Sequence, residues 1–133
     1  MKPKTTAPSE ACPCGATKAY TACCGRWHSA AQYGLAPNAE LLMRSRYSAY
    51  VLNLTEYLLA TWHPATRPAS LTPLPDGVRW LGLDVKAVET MDDQHACVEF
   101  VARSKLGGKA TRHHEISRFE KIDGRWFYRD AAN

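Results

Sequence analysis

Four of the five cysteines fall within thirteen positions, as Cys12-Pro13-Cys14 and, eight residues later, Cys23-Cys24. A segment this short cannot bury enough surface to fold alone, so whatever joins these sulfurs decides its shape. Zinc takes four soft ligands at tetrahedral corners, with Zn–S near ~2.3 Å, and the eight-residue gap lets the chain loop back to present the second pair. Gly15 and Gly25 each follow a thiolate pair, where a positive φ would let the backbone turn and aim N–H groups at sulfur. Lys18 is expected to offset the charge of a four-thiolate site, and Tyr20 to cover it. Zinc binding contributes roughly 10–16 kcal/mol in small fingers, and this becomes folding energy. Four protein ligands leave no open position for water, so the expected ion is a single structural Zn2+, not a catalytic one.

The spacing departs from the usual finger pattern, in which two to four residues separate paired ligands. Two disulfides, Cys12–Cys23 with Cys14–Cys24 or the crossed pair, are an alternative, as is a redox dithiol, although no C-x-x-C precedes a helix in a βαβ unit. The first eight residues carry no apolar h-region and no run of eighteen apolar residues occurs. The expected setting is therefore a reducing cytoplasm with no membrane span, where clustered cysteines bind metal more often than they pair.

Charge is unevenly spread. Residues 1–46 carry six Lys/Arg against two Glu, whereas residues 47–133 carry eleven of each sign. The excess thus lies at the front, on Lys2, Lys4, Lys18 and Arg26 among others, and four such charges give only a modest attraction for nucleic acid. A nucleic-acid partner is not expected.

Beyond the cysteines the chain divides into a segment 1–28 and a domain 29–133. Residues 26–37 show no clear period and read as a connector. Asn38 is an N-cap candidate, and Met43, Tyr47, Tyr50, Val51 and Leu54 form a helical stripe. Thr55 is expected to cap a second short helix through Trp62, ended by Pro64. Four of the eight prolines fall in residues 63–77, a loop. Strands are predicted over 78–91, with a bulge or bend at Gly82, then 96–105, 111–122 and 125–130. Turns at Asp92-Asp93, Gly107-Gly108 and Asp123-Gly124 would join them. Helices followed by an antiparallel meander give an α+β fold in which a curved sheet wraps the helices.

The string from Cys12 to Gly25 resembles the SEC-C motif, C-P-C-G-S-G-K-K-Y-K-x-C-C-G, matching at Cys12, Pro13, Cys14, Gly15, Lys18, Tyr20, Cys23, Cys24 and Gly25. That motif is named for the zinc segment of the SecA translocase motor, whose last ligand is often His where this chain has Cys24. The resemblance implies zinc on Cys12, Cys14, Cys23 and Cys24. It does not imply the motor's chaperone partner, because the rest of the chain is unlike a motor ATPase. The strings LLMRSRYSAYVL (41–52), TWHP (61–64), HEISRF (114–119) and DGRWFYRD (123–130) resemble the YchJ family, in which a SEC-C segment accompanies a nuclear-transport-factor-2-like cone. The family usually ends Tyr-x-Asp-Gly, and here Ala131 follows Asp130. The resemblance implies the cone fold and names no activity.

Cones of this kind often enclose a pocket. Candidates for its lining are Arg44, Arg46, Tyr47, Trp62, His63, His114, Glu115, Ser117 and Asp130, with His63, Glu115 and Asp130 as candidate catalytic groups. Each also has a plain structural reading. Arg44 and Arg46 would pair with carboxylates of the sheet, and Tyr47 and Tyr50 would be core. Trp62 would also be core, its N–H bonded locally, and His63 would end a helix. His114 and Glu115 alternate on a strand and so face opposite sides, whereas Glu115, Ser117 and Phe119 share a face. If that face is concave, Glu115 stands among apolar groups. The His113-His114 pair diverges and lacks a third ligand, and Cys97 reads as a buried strand cysteine.

Three functions are weighed. The first is a binding or adaptor protein that docks a protein partner through its zinc segment and holds a small molecule or partner in the cone. The second is a small hydrolase, isomerase or dehydratase using the cone. The third is contact with RNA or the ribosome through the basic N-terminus. Oligomeric state is not legible.

Overall fold

The computed structural model describes residues 10–133. Lys2 and Lys4 lie outside the described residues. Three 3-10 turns, Tyr20–Ala22, Cys24–Trp27 and Ala30–Gln32, precede helices α1 (Ala39–Val51) and α2 (Thr55–Ala60). Strands β1 (Arg79–Asp92), β2 (His95–Leu106), β3 (Lys109–Ile122) and β4 (Arg125–Ala131) follow. They form one open antiparallel sheet in sequence order, so the α+β meander expected from the sequence is the fold.

Local chemistry explains most boundaries. Asn38 caps α1 by accepting from the Leu41 N–H at 2.9 Å. Gly107-Gly108 and Asp123-Gly124 close two-residue hairpins in which all four residues have positive φ, as tight hairpins with the native strand twist require. Gly82, at φ +146°, sits in a register shift of the β1–β2 ladder, and further shifts follow at Val85/Ala87 and Thr90/Asp92. These bulges bend the long strands around α1. The expected cap on α2 is absent: Thr55 is its first residue, and Leu54 precedes it with no side-chain cap. The helix ends at Ala60, earlier than expected, because the chain then runs beside β4. Tyr128 donates its N–H to the Thr61 carbonyl at 2.8 Å, and His63 donates to the Tyr128 carbonyl at 2.7 Å.

The core explains why α1 lacks a clean polar face. Ala39, Leu42, Met43, Ser45, Arg46, Tyr47, Ser48 and Ala49 are all buried. The helix is enclosed by the sheet, by α2 and by the cysteine segment, so even its serines need internal partners. Ser45 donates to the Leu42 carbonyl and exchanges a 2.6 Å hydrogen bond with the Tyr57 hydroxyl.

Candidate metal centre and cone cavity

The cysteine segment begins as a small knuckle. Ala11 pairs with Ala19 in an antiparallel bridge, and the Cys12 N–H reaches the Lys18 carbonyl at 2.8 Å. Gly15 supplies the expected positive φ, +81°. Gly25 does not have one. Its role is close approach, because a Cβ there would stand 2.8 Å from the Tyr20 carbonyl oxygen and 2.9 Å from its ring. The result brings the Sγ atoms of Cys12, Cys14, Cys23 and Cys24 within 4.8 Å of one another, all four buried. All five cysteines are free thiols, and the Cys14 and Cys23 sulfurs stand 3.6 Å apart, well beyond the ~2.05 Å of a disulfide.

Packing joins this cluster to α1. The cysteines share one buried apolar cluster with Ala39, Leu42, Met43, Tyr47, Val98 and Phe119. Cys12 Sγ lies 3.5 Å from Ser48 Oγ, and Arg44 Nη1 donates to the Cys14 carbonyl at 3.0 Å. Arg44 also pairs with Glu40 of its own helix, not with the sheet. It thus supplies the nearby positive charge expected of Lys18, which is exposed. His28 Nε2 lies 2.9 Å from the Ser45 carbonyl, which can only accept, so Nε2 carries the proton. Nδ1 therefore accepts from the Tyr20 hydroxyl at 2.5 Å. Burial lowers the His28 pKa and raises that of Tyr20 to about 12. Among the thiols, hydrogen bonds from Cys14 and Cys24 pull Cys12 down. The contact with Cys12 pushes Cys14 up to about 11 and, with Cys14, pushes Cys24 up as well. Four close sulfurs cannot all ionise unless a cation compensates them. A soft, buried, thiol-only set of this kind is a metal-binding one.

The second feature is a cavity of about 420 Å³ between α1 and the concave face of the sheet. Its floor follows the strand alternation. His113, Glu115, Ser117 and Phe119 come from β3, and Phe100, Ala102 and Ser104 from β2, with Glu115 opposite Phe100 and His113 opposite Ala102. Glu115 accepts from His113 Nε2 at 3.0 Å, Ser117 Oγ at 2.5 Å and Tyr128 Oη at 3.0 Å. Counting back two residues from Glu115 would have found His113. His114, as the alternation requires, faces the other way and meets Glu99 at 2.7 Å.

Arg46 is the least expected member of this wall. It is 5% exposed and has no carboxylate within salt-bridge distance among the described residues. Its Nη1 donates to the Leu58 carbonyl at 2.8 Å and to Thr61 Oγ1 at 2.7 Å. Its guanidinium carbon lies 5.1 Å from the centre of the Trp62 ring and 4.8 Å from that of Tyr128. Burial lowers its pKa. Tyr47 is in the core as expected, and its ring also lines the cavity, together with Tyr50 and Trp62, which are only half-buried. The Trp62 indole N–H is sealed without a partner, contrary to the local bond expected of it.

The other predicted groups lie elsewhere. His63 is buried outside the cavity, with Nδ1 accepting from the Ala65 N–H at 3.0 Å and Nε2 3.3 Å from Glu120. Asp130 forms a two-pronged pair with Arg118 at 2.6 and 2.8 Å, which holds its carboxyl below the usual range. Both residues line a shallower groove with Cys97. Cys97 is half-buried there and not enclosed as expected. A register shift between Arg118 and Phe119 separates the two sets: Phe119 opposes Tyr128, and Arg118 opposes Asp130.

Residues 38–131 match the family model described as the YchJ middle NTF2-like domain. A UPF0225 protein of Bordetella parapertussis is 57% identical over 131 residues, covering 98% of each chain. One from Chromobacterium violaceum is 54% identical, covering 96% of each. Among solved structures, a SEC-C motif containing protein from Rhodopseudomonas palustris superposes with a TM-score of 0.76 at 32% identity, covering 92% of this chain and 97% of that one. Another, from Psychrobacter arcticus, superposes with a TM-score of 0.75 at 30% identity, covering 92% and 82%. No helix among the described residues is long and apolar enough to cross a membrane.

Proposed function

The chain belongs to the YchJ (UPF0225) family of SEC-C motif proteins, and on that premise we propose that it is a zinc-loaded binding protein. In this reading one structural ion fastens the N-terminal segment to the cone, and the cone holds a ligand or partner. The observation that carries it is the convergence of four buried sulfurs within 4.8 Å. Sulfurs about 2.3 Å from a tetrahedral ion stand about 3.8 Å apart, and the 3.6 Å between Cys14 and Cys23 suits that spacing. Thiolates alone favour zinc over the hard cations magnesium and calcium. Cys12, Cys14, Cys23 and Cys24 would hold it. Bound zinc supplies cross-linking only, since four protein ligands leave no place for substrate.

One side of the cysteine segment is spent on α1, through Ser48, Arg44 and Ser45. Lys18 and Arg26 remain exposed and offer a basic docking face for a protein partner. Free thiols suit a reducing cytoplasm. Elemental analysis of protein expressed with zinc should return one ion per chain, and Cys12→Ser/Cys14→Ser should lose it. Zinc-free preparations that keep the same fold and stability would defeat the reading. Identical partner lists for wild type and the double variant would dismiss docking through the zinc segment.

One observation favours a second reading, an enzyme acting in the cone: Glu115 stands in the cavity wall, bonded to Ser117 and Tyr128. Of the three candidate catalytic groups, only Glu115 is there. Hydrolase, isomerase or dehydratase activity lost in Glu115→Gln would support this reading.

A further inference from the structure

The cavity contains one cation whose hydrogen-bonding capacity is half used. Arg46 Nη1 is tied back to Leu58 and Thr61, but Nε and Nη2 have no acceptor among the described residues. These two N–H groups form one edge of the guanidinium, the edge that Arg118 uses to grip Asp130. They are not sealed, because the only fully enclosed, unpartnered side-chain nitrogens among the described residues belong to Trp62 and Trp126. Glu115 attracts the guanidinium only from beyond salt-bridge distance, a buried charge with no directly paired carboxylate is costly, and a free two-donor edge matches a carboxylate.

The rest of the wall narrows the choice. Glu115 already takes three donors, so the unmet demand in the cavity is for acceptors. Its negative charge also opposes a second negative charge on the occupant, which argues against a phosphate dianion. Tyr47 meets Trp80, Trp62 meets Tyr128, and Phe119 meets Tyr128, each edge to face at 5.2–5.8 Å, and Phe100 completes the apolar floor. Aromatic walls of this kind favour a planar ring. The volume of about 420 Å³ falls at the small end of the roughly 300–1,000 Å³ of ligand cavities.

We propose that the cone binds a small aromatic monocarboxylate, its carboxylate on the Nε–Nη2 edge of Arg46 and its ring against Trp80, Phe100 and Phe119. This rests on reading the cone as a ligand site and names the class of its ligand.

The test uses full-length, zinc-loaded protein and two probes of one shape, 1-naphthoate and neutral 1-naphthamide, titrated by calorimetry. Naphthoate should bind about tenfold or more tighter than the amide, as a charge-assisted pair on arginine would give. Arg46→Lys, which keeps the charge but loses the edge, should weaken naphthoate and leave the amide unchanged. Should that variant fold poorly, Glu115→Gln serves instead and should tighten naphthoate. Ala102→Phe, filling the floor, should abolish both. Equal affinity for the two probes overturns the carboxylate assignment alone, whereas naphthoate binding that survives Ala102→Phe places the probe outside the cone and overturns the proposal as a whole. Binding of neither probe also removes the reading of the cone as a ligand site.

Discussion

Cys12 Sγ lies 3.5 Å from Ser48 Oγ, thirty-six residues along the chain, so the cysteine cluster is hydrogen-bonded to the last turn of the helix that also forms the cavity roof. A hydroxyl donating to a ligating thiolate orients it and tunes its affinity. Ser48→Ala should therefore lower zinc affinity about tenfold, the lower end of such effects, without changing the stoichiometry. Competition against a chromophoric chelator measures it, and an unchanged affinity would show that the contact is only steric.

Removing zinc should loosen more than the cysteine segment itself. The cysteines share a buried cluster with Leu42, Met43, Tyr47, Val98 and Phe119, so freeing the segment uncovers one side of α1. Chelation should lower the melting temperature of the whole protein and speed hydrogen exchange at Ser45–Ala49, not only at residues 10–28. Exchange confined to the segment would mean that the cone is stable by itself.

Gly25→Ala should be markedly destabilising even though Gly25 lacks a positive φ. The added Cβ would lie 2.8 Å from the Tyr20 carbonyl oxygen and 2.9 Å from its ring. The carbonyl belongs to backbone, which cannot swing aside. Overpacking of this kind costs about 1–3 kcal/mol, and urea unfolding with zinc saturating measures it. Gly124→Ala is the contrast: nothing lies near its Cβ, and only its φ of +79° is strained.

Much of the fold is legible because it is written in local chemistry. Asn38, Gly107-Gly108 and Asp123-Gly124 act through their own backbone and immediate neighbours. Strand alternation likewise puts Glu115, Ser117 and Phe119 on one face and His114 on the other. The cavity depends on curvature, which no single residue encodes. The register shift at Arg118/Phe119 decides that Tyr128 opposes Phe119 while Asp130 opposes Arg118, so Asp130 leaves the cavity set. The turn from α2 into the segment beside β4 carries His63 out of the wall for a similar, nonlocal reason. Arg46 was expected to find a carboxylate. Its partners, the Leu58 carbonyl of α2 and Thr61 just beyond that helix, become visible only once α1 and α2 are packed together.

His28 should make stability depend on pH with a definite sign. It is held neutral, donating from Nε2 to the Ser45 carbonyl and accepting at Nδ1 from Tyr20, with Tyr57 edge-on at 4.7 Å. Burial lowers its folded-state pKa below the ordinary histidine value of 6.5. Above pH 6.5 the ring is neutral in both the folded and unfolded states and contributes no pH dependence. As pH falls through 6.5 the unfolded chain takes up a proton that the folded one refuses, so unfolding becomes easier. The folded state rejoins only when the pH passes its own lower pKa, by which point the loss is complete. Zinc release and the remaining histidines add their own slopes, but these are common to wild type and a His28→Gln variant. The variant, which keeps a donor for Ser45 and cannot titrate, should be less stable at pH 7.5 because it loses the ring packing. It should nevertheless show a shallower loss between pH 6.5 and 5 in denaturant titrations at saturating zinc. Parallel curves for the two proteins would mean that protonated His28 is accommodated where it stands.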